Sequence, residues 1–440
     1  VIKKTNFNQG DEMEVSSYNP YTIAQEQFDK AAGMLNLDSA VRDLLRTPMK
    51  EFHFSIPVKM DDGSKKIFKG FRIMHNDARG AAKGGVRFHM HETVDSVRAL
   101  SMLMSWKTAV ADLPLGGGYG GVMCDPRNLS LNEQELICRG WVRQNYKNIG
   151  PRTDVPAPDL MTNAKHMLWM LDEYETLTGE RQPGFITGKP VGMGGSLGKK
   201  EATGYGVMLC VREALKEMNV HPSKTTASFQ GFGNVAQNAI ELYNKMGGKV
   251  ICVSCWDQKE MKEISFCKEN GIDLEELRKI TDPFGGIDRK KAEKLGYETV
   301  EGSEWIKQKV DILVPCAVEN QITGDNIELI QPSVRIIAEG ANSPTNPRAE
   351  ELLKSKNIRI IPDILANSGG VICSYFEQVQ SNMNYFWDKN EVFGKLDQKI
   401  TAAYISVSEF ARKNKLNMRE SAFIISVDRV ANACKERGWV

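Results

Sequence analysis

TASFQGFGNVA, residues 226–236, decides the fold. A short apolar run ends at Gln230, a glycine turn follows, and a helical pattern opens at Asn234 and continues to about Met246. KVICVS, residues 249–254, is a second apolar strand, so the order is strand, helix, strand, the unit that builds a parallel sheet. The turn Gly231-Phe232-Gly233-Asn234-Val235-Ala236 is a GxGxxA after a strand and at the start of a helix, the context that dinucleotide recognition requires. Gly231 permits the tight turn, Gly233 lets backbone approach a pyrophosphate, and the helix N-terminus offers N–H groups and positive potential. Gly231, Gly233, Asn234, Val235 and Ala236 are therefore candidate cofactor contacts; the bland alternative is a glycine turn with no ligand. The next strand exits as Ser254-Cys255-Trp256-Asp257. Asp257 is either the carboxylate that holds an adenosine ribose, which favours NAD, or an ordinary solvated loop aspartate, and Lys259 nearby keeps NADP open.

Outward from this unit, a helical stretch at 204–218 precedes it, and the apolar runs DILVPCAV (311–318), VRIIAEG (334–340) and IRIIPDIL (358–365) supply further parallel strands. The second half reads as a doubly wound Rossmann-type domain. The first half differs. In EFHFSIPVKM (51–60) Phe52, Phe54, Ile56, Val58 and Met60 alternate, Asp61-Asp62-Gly63 turns the chain, and KIFKGFRIMH (66–75) alternates again. A hairpin thus begins an antiparallel or mixed sheet. Val97, Leu100, Leu103 and Met104 recur at helical spacing and read as core. Two amphipathic helices end the chain, one marked by Leu396, Ile400, Ala403, Val407 and Phe410, the other by Phe423, Val427 and Val430. Residues 1–17 are polar and aperiodic and read as a mobile tail.

At 440 residues the chain exceeds one ordinary core and fits two domains with a cleft between them. Lysine plus arginine (57) nearly cancels aspartate plus glutamate (56), so no global field draws the protein to nucleic acid or an anionic membrane. The nine cysteines are scattered and odd in number, which reads as reduced thiols in a cytoplasmic protein. No apolar run is long enough to span a bilayer. The six histidines show no ligand spacing except His89-x-His91, which reads as structural rather than as a metal site.

Four further stretches carry chemistry. GAAKGGVRFH (80–89), SMLMSWK (101–107) and LPLGGGYGGVMCDP (113–126) set glycines beside lysines, where backbone and ammonium groups can converge on small carboxylates. DVPAPD (154–159) places Asp159 after two prolines, on a rigid loop suited to a proton-transfer carboxylate, or else to a turn or helix cap.

RIMHNDARGAAKGGVRFH (72–89), SWKTAV (105–110), LPLGGGYGGV (113–122), DVPAPD (154–159), FITGKPVGMGGS (185–196), EATGYG (201–206), QGFGNVA (230–236), PCAVENQIT (315–323), AEGANSPT (338–345), PDILANSGGVICSYFE (362–377) and RGW (437–439) occur in the order of the hexameric glutamate dehydrogenases, which the chain resembles from about residue 18 to its end. The resemblance implies a homohexamer with a substrate-binding and oligomerisation domain over 18–198, a dinucleotide domain over 199–375, and a C-terminal helical segment, 376–440, that returns to the first domain. It implies reversible oxidative deamination of L-glutamate to 2-oxoglutarate and ammonium with a nicotinamide cofactor. By residue it implies Lys83 and Ser374 against the side-chain carboxylate, Lys107 against the α-carboxylate, and Asp159 as the proton carrier at nitrogen. Thr203 and Asn342 would lie near the nicotinamide, and Gly231, Gly233 and Ala236 against the pyrophosphate.

One residue is discordant. Where the family reads GGGKGG this chain reads GGGYGG, so Tyr119 stands at the catalytic lysine. A phenol, with an ordinary pKa near ~10, supplies no cation for a developing oxyanion. Poor catalysis is therefore expected on intact binding surfaces, and the tyrosine is open to three accounts: an introduced change, a natural retuning, or the mark of a noncatalytic NAD-binding regulatory homologue. Ala81 replaces a usual proline, and Cys255 a frequent acidic residue, which leaves cofactor preference open. A dehydrogenase of the leucine and phenylalanine branch is disfavoured, because Lys83 and Ser374 would face an apolar side chain without a partner.

Overall fold

The computed structural model describes residues 19–282 and 285–440, so the segment 1–17 lies outside the described residues. Twelve strands among them form two sheets, and each sheet supplies one wall of a cleft.

The first sheet contains β1 (Lys50–Lys59), β2 (Lys65–Asn76), β3 (Ala82–His89), β4 (Gly117–Met123) and β5 (Asp154–Pro158) in the order β1-β2-β4-β3-β5. β1 and β2 are the expected antiparallel hairpin, β4 is antiparallel to β2, and β3 runs parallel to both β4 and β5, so the sheet is mixed. One face packs on the helices Leu131–Asn145 and Ala164–Thr178 through Val86, Phe88, Val122, Trp141 and Met170. The other carries Phe71, Ile73 and Tyr119 against Val97 of the helix Val94–Val110. Val97 is core as expected, whereas Leu100, Leu103 and Met104 are not simply core: they line the cleft, in one helical stripe with Lys107.

The glycine-rich stretch is not a loop. It is β4, where a Cβ on Gly117 would lie 2.2 Å from Ser105 N, and one on Gly84 of β3 would lie 1.6 Å from Gly118 O. Those glycines exist for close backbone packing. DVPAP is likewise strand β5, with Asp159 in the loop just past its end; β5 is an edge strand, which is where prolines, lacking an N–H for the ladder, are tolerated.

The second sheet has the order β12-β11-β10-β6-β7-β8-β9, built from β6 (Thr226–Gln230), β7 (Lys249–Asp257), β8 (Lys262–Cys267), β9 (Glu298–Glu301), β10 (Ile312–Pro315), β11 (Ile336–Ala338) and β12 (Arg359–Ile361). β6, β7, β10, β11 and β12 are parallel. Its two faces are covered by separate cores, one with the helices Ala202–Glu217 and Asn234–Lys245, the other around Trp305, Ile306, Ile327 and Leu353, which is the doubly wound arrangement. β8 and β9 depart from the all-parallel expectation, since the short 258–261 turn after β7 permits only an antiparallel partner. That pairing sets Cys252 opposite Cys267 in a disulfide, which corrects the reading of nine reduced thiols; the other seven are free.

The chain ends in the helices Lys389–Asn414 and Met418–Glu436. The last packs on Val94–Val110 and Pro20–Met34, and Arg429 Nη1 donates to Ala109 O at 2.8 Å, so the C-terminus does return to the first sheet's side. Among the described residues no helix is long and apolar enough to cross a membrane.

Candidate active site

Side chains alternate along a strand, so Lys83, Gly85 and Arg87 of β3 share a face, and in register with β4 that is the face of Tyr119. Lys83, Lys107, Tyr119, Asp159, Thr203, Val235, Asn342 and Ser374 all line one cavity of about 370 Å³ between the sheets. Residues from eight separate stretches of the sequence thus line one cavity.

Lys83 is 1% exposed. Its Nζ donates to Val155 O (3.1 Å), Pro156 O (3.3 Å) and Thr187 Oγ1 (2.6 Å). Burial, reinforced by the nearby charge of Lys199, pushes its pKa well below the usual lysine value. Lys199 went unread in the sequence. Its Nζ donates to Gly370 O at 2.7 Å and to Ser374 Oγ, and burial lowers its pKa too. The only local signal was the pair Lys199-Lys200 after the GGS turn; Ser374 lies 175 residues away, and the fold alone brings them together. Lys107 Nζ spans the cleft to Asn342 Oδ1 at 3.1 Å, and Asn367 Nδ2 donates to the same oxygen at 3.0 Å. Burial lowers Lys107 as well.

None of Lys83, Lys107 and Lys199 has an ion-pair partner among the described residues, although the structure pairs charges freely elsewhere. The carboxylates facing this cavity are already committed: Asp363 accepts from Arg419 Nη1 at 3.0 Å, and Asp159 Oδ2 from Arg87 Nε at 2.9 Å. Buried unpaired cations are costly, and an entering dianion relieves that cost.

Tyr119 is 5% exposed and lies under Arg87, whose guanidinium carbon is 5.5 Å from the ring centre. Burial, and then the negative charge of Asp159, holds the phenol's pKa well above 10, so it is a neutral hydroxyl. Gly85 makes room for the pair, since a Cβ there would stand 2.7 Å from Asp159 Cβ and 3.1 Å from the Tyr119 oxygen. Asp159 is further fixed by Thr162, whose Oγ1 accepts its N–H at 2.9 Å.

At the second sheet, Gly231 has φ +93°, a conformation glycine adopts at no steric cost. Gly233 caps the helix Asn234–Lys245, and a Cβ placed on it would meet nothing within 4 Å. That open approach beside unpaired helix N–H groups fits a pyrophosphate. Ala236 is buried in the helix–sheet packing, Val235 and Thr203 reach the cavity, and Asn234 Nδ2 donates back to Lys200 O at 2.8 Å. Asp257, by contrast, is engaged in its own turn, with Oδ1 accepting from the N–H groups of Lys259 (2.7 Å) and Glu260 (3.0 Å).

A doubly wound half facing a lysine-lined cleft defines the class of two-domain dehydrogenases. The chain belongs to the Glutamate/Leucine/Phenylalanine/Valine dehydrogenase family: that family's pattern matches residues 194–438, and that of its dimerisation domain residues 48–176. It is 43% identical to a glutamate dehydrogenase of Thermotoga maritima over 95% of this chain and 98% of the relative. It is 41% identical to an NAD-specific glutamate dehydrogenase of Staphylococcus aureus over 96% and 99%. The crystal structure of glutamate dehydrogenase from Peptoniphilus asaccharolyticus superposes with a TM-score of 0.85 at 41% identity, covering 96% of this chain and all of that one.

Proposed function

We propose that this chain is a glutamate-type dehydrogenase that binds NAD and a five-carbon dicarboxylate, with its chemistry impaired at Tyr119. The observation that carries the reading is a trio of lysines without ion-pair partners around one cavity, Lys83 buried and Lys107 and Lys199 half-buried, where two (Lys83, Lys199) gather beside Ser374 and the third (Lys107) stands apart. Two carboxylates on one small molecule match that distribution, whereas an apolar amino acid would leave Lys83 and Lys199 uncompensated. The NAD-specific name of the Staphylococcus aureus relative supports NAD. In this reading residues 18–198 bind substrate and assemble a hexamer, 199–375 bind the cofactor, and 376–440 brace the first part.

A nicotinamide held beside Thr203 and Asn342 would supply the hydride chemistry at the substrate's α-carbon. Lys83, Lys199 and Ser374 hold the distal carboxylate, Lys107 the α-carboxylate, and Asp159 moves a proton at the nitrogen. Thr203 and Asn342 position the nicotinamide end. What is missing is a cation beside the carbinol oxygen. Tyr119 offers there a neutral hydroxyl, which donates a hydrogen bond but carries no charge, so substrate is held while the charge-developing step goes unassisted. The same neutral phenol favours a second reading, a dinucleotide-binding homologue that regulates and does not turn over.

Calorimetric titration in the presence of NADH tests the substrate class. Glutarate and 2-oxoglutarate should bind, and 4-methyl-2-oxopentanoate should not; the opposite order would remove the dicarboxylate reading.

A further inference from the structure

The end of β7 is where a carboxylate would meet the adenosine ribose, and of the two local residues one is a thiol and the other gives an oxygen to its own turn. Cys255 is turned inward, 5% exposed, with its sulfur accepting the Ile287 N–H at 3.3 Å. Asp257 caps its own turn. A third carboxylate reaches the same place from the neighbouring antiparallel strand. Glu263 on β8 stands directly opposite Trp256, and its Oε1 accepts from Ser254 Oγ at 2.6 Å and from Gln230 Nε2 at 3.1 Å. Those two partners touch the dinucleotide turn itself: Ser254 Oγ accepts the Gly231 N–H at 3.4 Å, and Gln230 Oε1 accepts the Ala317 N–H at 3.0 Å. Glu263 is therefore one side chain removed from the first glycine of the fingerprint and from Ala317, which lines the cleft. Its Oε2 accepts no hydrogen bond among the described residues.

Beside it, Trp256 is 49% exposed at the carboxyl end of a parallel strand. Residues 254 and 256 lie on one face of β7, and a directly opposed antiparallel pair points the same way, so Trp256 and Glu263 stand side by side. Open α/β sheets bind ligands beyond the carboxyl ends of their strands.

We propose that Glu263 and Trp256 form the adenosine subsite, a specificity device supplied by β8 in place of an acidic residue at the end of β7. The Trp256 ring offers a face on which adenine stacks, and Glu263 Oε2 accepts from the ribose hydroxyls. A 2′-phosphate would meet the carboxylate as a like charge, so the subsite selects NAD over NADP. This rests on the dinucleotide reading above.

Fluorescence titration of the full chain with NADH and NADPH, with ADP-ribose as a probe lacking nicotinamide, tests it. Glu263→Gln keeps an oxygen for Ser254 and removes the charge, so the preference for NADH over NADPH should fall about tenfold or more. Trp256→Ala should weaken NADH and ADP-ribose alike, by about tenfold, without moving that preference. Asp257→Asn should change neither. A purely structural Glu263 would lower the thermal midpoint of Glu263→Gln while leaving the preference where it was, and that result, or an Asp257→Asn that carries the loss, overturns the subsite. If the native chain binds neither dinucleotide, the fingerprint reading itself fails and the subsite falls with it.

Discussion

Arg87 Nε donates to Asp159 Oδ2 at 2.9 Å, so the carboxylate assigned to proton transfer is held by an arginine on the neighbouring strand β3. The same guanidinium covers the Tyr119 ring; burial works to lower the Arg87 pKa, but the carboxylates of Asp159 and Glu92 hold it raised. Arg87 is a fixed charge here, already committed, and does not replace a lysine that could donate and recover a proton.

The dinucleotide turn can be tested without disturbing the fold, because Gly233 has open space where a side chain would project. Gly233→Val should abolish the NADH fluorescence enhancement while the thermal midpoint stays within a few degrees. Unchanged NADH affinity would refute the assignment.

Lys83 carries the distal carboxylate in this account. Lys83→Leu should weaken 2-oxoglutarate by on the order of 2–5 kcal/mol, because the charge pair that forms is desolvated. Calorimetry measures it directly, and equal binding by both forms would remove Lys83 from the site.

Below the site, Arg72 and Asp154 form a fully buried fork, Nε to Oδ2 at 2.6 Å and Nη2 to Oδ1 at 2.5 Å, and Arg72 Nη1 also holds Gly85 O at 3.0 Å. Asp154→Asn leaves that charge unpaired, and urea unfolding should report a loss of about 3–5 kcal/mol. A loss below about 1 kcal/mol would mean that the fork is not what clamps β2, β3 and β5.

Two buried histidines make stability depend on pH. The His75 ring nitrogens are engaged by Ser105 Oγ at 2.8 Å and Leu45 O at 2.9 Å, and burial pushes its pKa from 6.5 to about 4; burial does the same to His166. The unfolded chain takes up these protons below pH 6.5 and the folded chain only below about 4. Their contribution is therefore full above 6.5 and lost as pH falls toward 4, at roughly 3 kcal/mol for each. Urea midpoints measured across that interval should fall with decreasing pH; a level or rising midpoint contradicts the assignment.

The parts legible in the sequence were those written in contiguous residues. GFGNVA stood between a strand and a helix, the hairpin of β1 and β2 was visible as alternation, and the lysines lay beside their glycines. What was hidden depends on pairing across distance. Lys199 meets Ser374 only after the chain has wound through a whole sheet, and Arg72 meets Asp154 across two intervening strands. Cys252 and Cys267 looked scattered because register, not spacing, aligns them. The run around Tyr119 and residues 154–158 read as loop because glycine and proline usually break strands; close packing against Ser105 and an edge position override that tendency here, and only Asp159 stays outside the strand.

The most direct test of the central claim compares turnover of L-glutamate with NAD by the chain as it stands and by Tyr119→Lys. The account predicts a rise of ~10² or more with NADH affinity little changed, because the restored ammonium acts on the developing oxyanion and lies outside the dinucleotide turn. Asp159→Asn in the restored chain should lower turnover again by ~10²-fold or more. Glutamate oxidation by the present chain at the rate of the lysine form would contradict the account, and inactivity of both forms would hand the site to the regulatory reading.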